Sequence, residues 1–240
     1  MNRALATALI ALAALSASAQ SKIEPPVKLK FLSAGAAQAL VRSTAKAAGI
    51  AVEGSFGAVG AMQERVIAGE QSDLVILRRD QIDQLVAKSL VVRESVVDLG
   101  VVPTSIGVRA SDPSPPVTDE ASLRSALLAA DAIYVPDPAK ATAGIHFIKV
   151  LDKLGIREQV ASRIRPFPDG ATAMHAMAEA SGHPIGCTQA TEIRATPGVK
   201  LVAPLPQGFD LVTVYSGAVS ANAADPAVAS RFLSSLASRL

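Results

Sequence analysis

Cysteine is nearly absent from this chain: Cys187 is the single one in 240 residues. A lone thiol closes no internal disulfide and offers no paired thiolates to a metal, so stability must come from apolar cores. Tryptophan is missing and aromatic residues make up 3% of the chain, which leaves few platforms for stacking single-stranded nucleic acid. Charge of one sign is lacking as well. With 23 Lys and Arg against 21 Asp and Glu, a net of +2, no broad basic face is available to a phosphate backbone, and nucleic acid is excluded as a partner.

Long apolar runs are missing everywhere except the N-terminus. There Asn2-Arg3 precede a run of Ala, Leu, Ile and Thr that ends in Ala17-Ser18-Ala19. A basic start, a short apolar core and small residues at the Ala19-Gln20 junction predict a secretory signal over 1–19. The core falls short of the ~20 residues that span a bilayer, and no cysteine sits at the cut to carry a lipid. The mature chain is therefore expected in the periplasm, without membrane insertion. The 50% hydrophobic composition of the full 240 residues suffices for one large or two small cores.

Past Ser21–Pro26, which reads as a linker, short β-like runs alternate with longer stretches of helical period. Val27–Leu32 reads as a strand, Ala36–Ala48 as a helix closed by Gly49, Ile50–Phe56 as a strand, and Met62–Ala68 as a helix stopped by Gly69. Leu74-Val75-Ile76-Leu77 is the uninterrupted apolar run of a strand buried on both faces. The order repeats with strand Ile133–Val135, helix Ala143–Leu154, strand Ile164–Phe167, helix Ala171–Ala180 and strand Pro184–Thr188. Two β-rich stretches, Val96–Arg109 with Pro103 inside it and Leu211–Val219, lie between and after these sets. Asp112–Pro116 and Pro197–Gly208 read as linkers. The pattern predicts an α/β protein of two lobes, each a mostly parallel sheet flanked by helices, joined by two hinge strands. Lobe I is expected over 22–103 plus 211–240, and lobe II over 104–210.

In open parallel sheets, ligands gather at the carboxyl ends of strands, where helix N-termini present free amides. Four such turns are legible: Ser33-Ala34-Gly35, Gly57-Ala58-Val59-Gly60, Lys140-Ala141-Thr142-Ala143-Gly144 and Asp169-Gly170-Ala171. Their small residues let backbone N–H groups approach an anion. Arg78, just past the apolar strand, offers a guanidinium fork to a carboxylate or oxyanion. No Gly-Lys-Ser/Thr follows these glycines and none has the dinucleotide spacing. No Gly-x-Ser-x-Gly is present, and His146, His175 and His183 lack metal-ligand spacing. No cofactor and no metal are expected.

The segments Phe31–Gly35, Gly57–Ala61, Gly69–Ile76, Asp137–Gly144 and Val150–Ile156 together resemble the periplasmic molybdate-binding-like proteins, solute-binding proteins of type II that serve ABC transporters. The resemblance implies a two-lobed periplasmic binding protein fold holding an oxyanion by hydroxyls and backbone amides. The positions that match that family's ligand groups are Gly35, Val59, Ala143, Ala171 and Gln189, so two serine hydroxyls and a tyrosine phenol are missing here. A buried oxyanion loses about 1.5–3 kcal/mol for each such bond. The chain is accordingly closer to a divergent branch associated with organic acids, which also resembles aconitate isomerases. The resemblance implies a monomeric receptor that captures a small anion in the interlobe cleft and delivers it to a permease. Expected ligand contacts are Ser33, Ala34, Gly35, Ala58, Val59, Gly60, Arg78, Thr142, Ala143, Gly144, Asp169, Gly170, Ala171 and Gln189. Two alternatives stand beside it: an isomerase of a tricarboxylate with Asp169, His146 or Lys140 as base, and a molybdate or tungstate binder. Capture is favoured over catalysis because every motif explains grip and none explains proton transfer.

Overall fold

The computed structural model describes residues 27–237 and 239–240, so the expected secretory signal lies outside the described residues. Strands β1 (Lys28–Ala34), β2 (Ala51–Gly57) and β3 (Leu74–Arg78) run parallel with β1 between the other two. Helices α1 (Gln38–Ala47) and α2 (Val59–Ile67) are their crossovers, and α3 (Arg79–Ala87) follows β3 directly. Successive residues of a strand point to opposite faces, and both faces are covered. Phe31, Leu74 and Ile76 pack with Val41, Ala45 and Phe232 on one side. Leu32, Val75 and Leu77 pack with Met62, Val66, Ile82 and Leu85 on the other.

Strand β4 (Val97–Arg109) is 13 residues long and belongs to both halves of the sheet. Beyond it come α4 (Glu120–Ala129), β5 (Ile133–Pro136), α5 (Thr142–Lys153), α6 (Arg157–Val160), β6 (Ile164–Phe167), α7 (Gly170–Ala178), β7 (Ile185–Gln189) and α8 (Ala190–Ala195). The chain closes with β8 (Val199–Pro204), β9 (Val212–Val219) and α9 (Pro226–Leu236). Strand β5 is parallel to β6 and β7, while β4 is antiparallel to β7, β8 and β9. The strand order is β2-β1-β3-β9-β4-β7-β5-β6, with β8 alongside β4. Each half is thus a set of three parallel strands bordered by antiparallel ones.

The handover occurs within β4. It pairs with β9 from Val97 to Pro103 and with β7 from Thr104 to Val108. Proline has no N–H to place in a ladder, and Pro103 stands where the strand leaves one partner for the next. The returning chain crosses at the same level: the Thr104 N–H donates to the Leu211 carbonyl at 2.8 Å, and the Leu205 N–H to the Thr104 carbonyl at 3.1 Å. The second half has its own core, in which Ile133, Val135, Phe147, Leu151, Leu123 and Leu127 pack around Cys187. Burial pushes the Cys187 thiol far up, so it stays protonated and acts as a small apolar residue.

One expected linker is not a linker. Within Pro197–Gly208, residues Val199–Pro204 form β8, because the run Val-Lys-Leu-Val-Ala has the composition to add an edge to β4. Sequence periodicity also passed over α3, α4, α6 and α8.

Candidate functional site

The strand-to-helix turns of the two halves meet across a cavity of about 20 Å³. Ala34, Gly35, Ala58 and Val59 come from the first half, and Thr142, Ala143, Asp169, Gly170 and Gln189 from the second. Two of the helices pointing at it lack side-chain caps. Ala58 heads α2 and Ala141 heads α5, and neither can accept from the amides of the first turn. Such amides carry the partial positive end of the helix dipole toward the cavity. Helix α7 differs: the Asp169 carboxylate caps it, accepting from the Thr172 N–H at 2.8 Å.

Two buried polar side chains in this wall have no hydrogen-bond partner among the described residues. They are Thr142 Oγ1 and the amide of Gln189, whose nitrogen and oxygen are both unpaired although the residue is only 3% exposed. Buried polar groups are nearly always satisfied. An unpaired amide in a cavity wall is therefore poised for a guest that both accepts and donates.

Three polar lining residues were missed by sequence reasoning: Thr188, Glu192 and Tyr215. Tyr215 is buried, and burial holds its phenol neutral far above the usual range. Glu192 is 7% exposed, and the Thr188 hydroxyl donates to its Oε2 at 2.5 Å. Its carboxyl is pushed up from 4.5 to about 7, first by burial and further by the Asp169 charge, with the Thr188 hydroxyl and the amides of Gln189 and Gly170 pulling the other way. The carboxyl fills the space that two glycines leave open. A Cβ on Gly35 would stand 2.5 Å from Glu192 Oε1, and one on Gly170 would overlap both Thr188 Oγ1 and Glu192 Oε2. The usable signal was the Thr188-x-x-x-Glu192 spacing, which places the two side chains together where a strand runs into a helix.

The remaining expected contacts lie elsewhere. Ser33 is fully buried and donates to the Ala34 carbonyl at 3.1 Å. The Gly60 N–H is spent on the Lys140 carbonyl at 3.0 Å, and Lys140 Nζ meets Glu64 at 2.7 Å, so α2 and the turn before α5 touch across the gap. Gly144 packs against the backbone of Pro136 and Asp137. Arg78 holds Asp80 in a two-bond fork at 3.0 and 2.7 Å. Of the bases considered, Lys140 is thus paired, Asp169 caps α7, and His146 Nε2 lies 2.7 Å from the Phe209 carbonyl.

Two further voids share wall residues with the small cavity. Thr142 also lines an open groove of about 550 Å³ with Arg78, His146, Lys149 and Thr213. On the other side Gly35 and Glu192 also line a void of about 190 Å³, where Ala171, Arg42 and His175 are found. Among the described residues, no cluster of three or more His, Cys, Asp or Glu is gathered to hold a metal, and no helix is long and apolar enough to cross a membrane.

A two-part α/β fold joined through shared strands, with helix N-termini converging on a buried polar cavity, defines a binding protein of the periplasmic type. The chain belongs to the bacterial extracellular solute-binding protein family, whose model matches residues 29–239. It is 28% identical over 227 residues to an aconitate isomerase of Pseudomonas sp, covering 90% of this chain and 84% of that protein. It is 27% identical over 178 residues to the molybdate-binding protein ModA of Escherichia coli (strain K12), covering 72% and 68%. The periplasmic molybdate-binding protein of Azotobacter vinelandii has the same fold, with a TM-score of 0.67 at 19% identity over 87% of this chain and 92% of that one.

Proposed function

We propose that this protein is exported to the periplasm, captures a small organic carboxylate between its two halves and presents it to an ABC-type permease. In this reading residues 22–103 plus 211–240 and residues 104–210 act as two lobes, monomeric and soluble after the signal is removed. They hinge where β4 and the returning chain exchange partners. Capture favours the closed arrangement because only that arrangement supplies contacts from both lobes. The observation that carries the reading is the unpaired Gln189 amide beside the uncapped ends of α2 and α5. A fully ionised molybdate satisfies the amide N–H₂ and leaves its oxygen unmet, whereas an acid bearing a hydroxyl or a retained proton satisfies both.

The test is thermal denaturation of the mature protein with citrate, trans-aconitate, tricarballylate, sulfate and molybdate. At a hundred times its Kd a true ligand adds about 2.7 kcal/mol. Stabilisation by the carboxylates is expected, greatest for citrate, whose hydroxyl can donate to the amide oxygen, and stabilisation by molybdate alone would sink the carboxylate assignment.

Arg78→Ala measures how far the ligand extends. Because Arg78 lines the groove and not the cavity, its loss should leave sulfate affinity within about fivefold, the scale of an exposed ion pair. A tricarboxylate reaching the groove should weaken about tenfold or more, as for a lost charged hydrogen bond. A tricarboxylate loss that also stays within about fivefold would show that the groove takes no part.

A second reading, an isomerase acting on a tricarboxylate, is favoured by Glu192, a cavity carboxyl near neutrality of the kind that gives and takes a proton at physiological pH. Incubation with trans-aconitate separates the two readings. Steady appearance of the cis isomer, lost in Glu192→Gln, would replace capture with catalysis.

A further inference from the structure

An anion receptor with a carboxyl group in its cavity wall faces a conflict, and its resolution rests on the capture reading above. Glu192 cannot turn away. Its Oε2 is tied to the Thr188 hydroxyl, and its two oxygens lie against Gly35 and Gly170, where no side chain intervenes. Both glycines belong to the turns that converge on the cavity. The carboxyl thus occupies the ground where an anion would meet the heads of these turns.

Among the described residues no cation neutralises it at close range. From β7 comes the Thr188 hydroxyl, from the head of α7 the Asp169 carboxylate, a like charge, and from β9 the neutral Tyr215 phenol. Arg42 of α1 and His175 of α7 share the outer void with Glu192. Neither is bonded to it, and the Arg42 guanidinium lies 5.0 Å over the Phe56 ring. Two negative charges confined to one small cavity raise each other's proton affinity until one is neutralised. The ligand's charge is met by the ends of α2 and α5, so the proton goes to the glutamate.

We propose that Glu192 enters the ligand complex as a carboxylic acid, so that capture takes up a proton and the acid O–H becomes a donor to the bound anion. Glu192 is then the specificity residue of this cavity. It supplies a hydrogen bond without a permanent charge, replacing a hydroxyl that Gly35 lacks. The site's grip is coupled to pH in a way that a cavity lined by serines is not.

The experiment is calorimetric titration of the mature protein and of Glu192→Gln with citrate, tricarballylate and sulfate at pH 7.5 and 8.5, where these anions hold no titrating proton. Wild-type affinity should fall about tenfold per pH unit above neutrality, the slope of one proton taken up. Glu192→Gln, whose amide keeps a donor, should bind with no such fall. Wild-type heats in phosphate and Tris buffers should also differ by the ionisation heat of close to one proton per ligand, a readout that does not depend on the variant folding. Binding without proton uptake overturns the proposal and leaves the receptor reading standing, as does a pH slope that persists in Glu192→Gln. If no anion binds either protein, the receptor reading fails and takes this proposal with it.

Discussion

Replacing Glu192 with Gln should make the ligand-free protein more stable above pH 7 and leave it unchanged below pH 4.5. The folded chain binds the Glu192 proton up to about pH 7, whereas the unfolded chain releases it near 4.5. Between those limits the folded state holds the extra proton, so wild-type stability falls as pH rises through the window and levels off above it. The full difference is about 3 kcal/mol at 1.36 kcal/mol per pH unit. In a domain of this size that is roughly 6–12 °C in Tm. Glutamine is neutral throughout and sits in the same pocket, so the variant escapes the loss. Melting curves of both proteins from pH 4.5 to 8.5 test it: the two Tm profiles should diverge with rising pH. Parallel profiles would show that Glu192 ionises normally, because the two proteins differ in no other titratable residue.

The cavity was partly legible in the sequence because its framework is made of backbone. Small residues after a β-like run, as at Gly35, Ala58, Ala143 and Gly170, mark the turns, and all four reach the cavity wall. Periodicity located β3 and α5 because their burial repeats at the strand and helix periods. Side-chain chemistry was less visible. Arg78 stands at the right end of the right strand, but Asp80 two residues on claims its guanidinium. Ser33 lies in the first turn's motif yet points into the packed interior, where one residue of register decides the face. Glu192 went unnoticed for the opposite reason. It sits on a helix of six residues, Ala190–Ala195, too short for a periodic signal, and its place in the cavity depends on Gly35, more than 150 positions earlier in the chain. Tyr215 likewise enters from β9, a strand read only as a crossing.

Gly170→Ala should damage ligand capture more than any other single methyl group added to the cavity wall. A Cβ at position 170 overlaps Thr188 Oγ1 and Glu192 Oε2 together, and both belong to one hydrogen-bonded pair within the core. Backbone strain is not the cause, since Gly170 lies in the first turn of α7 with no need for a left-handed conformation. The added carbon must displace the Glu192 carboxyl, which borders both the cavity of about 20 Å³ and the void of about 190 Å³. Overpacking of this kind costs about 1–3 kcal/mol, which corresponds to roughly 5- to 150-fold in Kd if the displaced carboxyl lodges where the ligand binds. Pairing the change with Glu192→Ala removes the Glu192 half of the clash and releases the Thr188 hydroxyl from its partner, so the double variant should recover part of the stability lost in Gly170→Ala alone, by a non-additive coupling of contacting residues. Thermal midpoints of the two single variants and the double variant measure that coupling. Strict additivity would mean that Glu192 and Gly170 do not share the slot on which the candidate site is built.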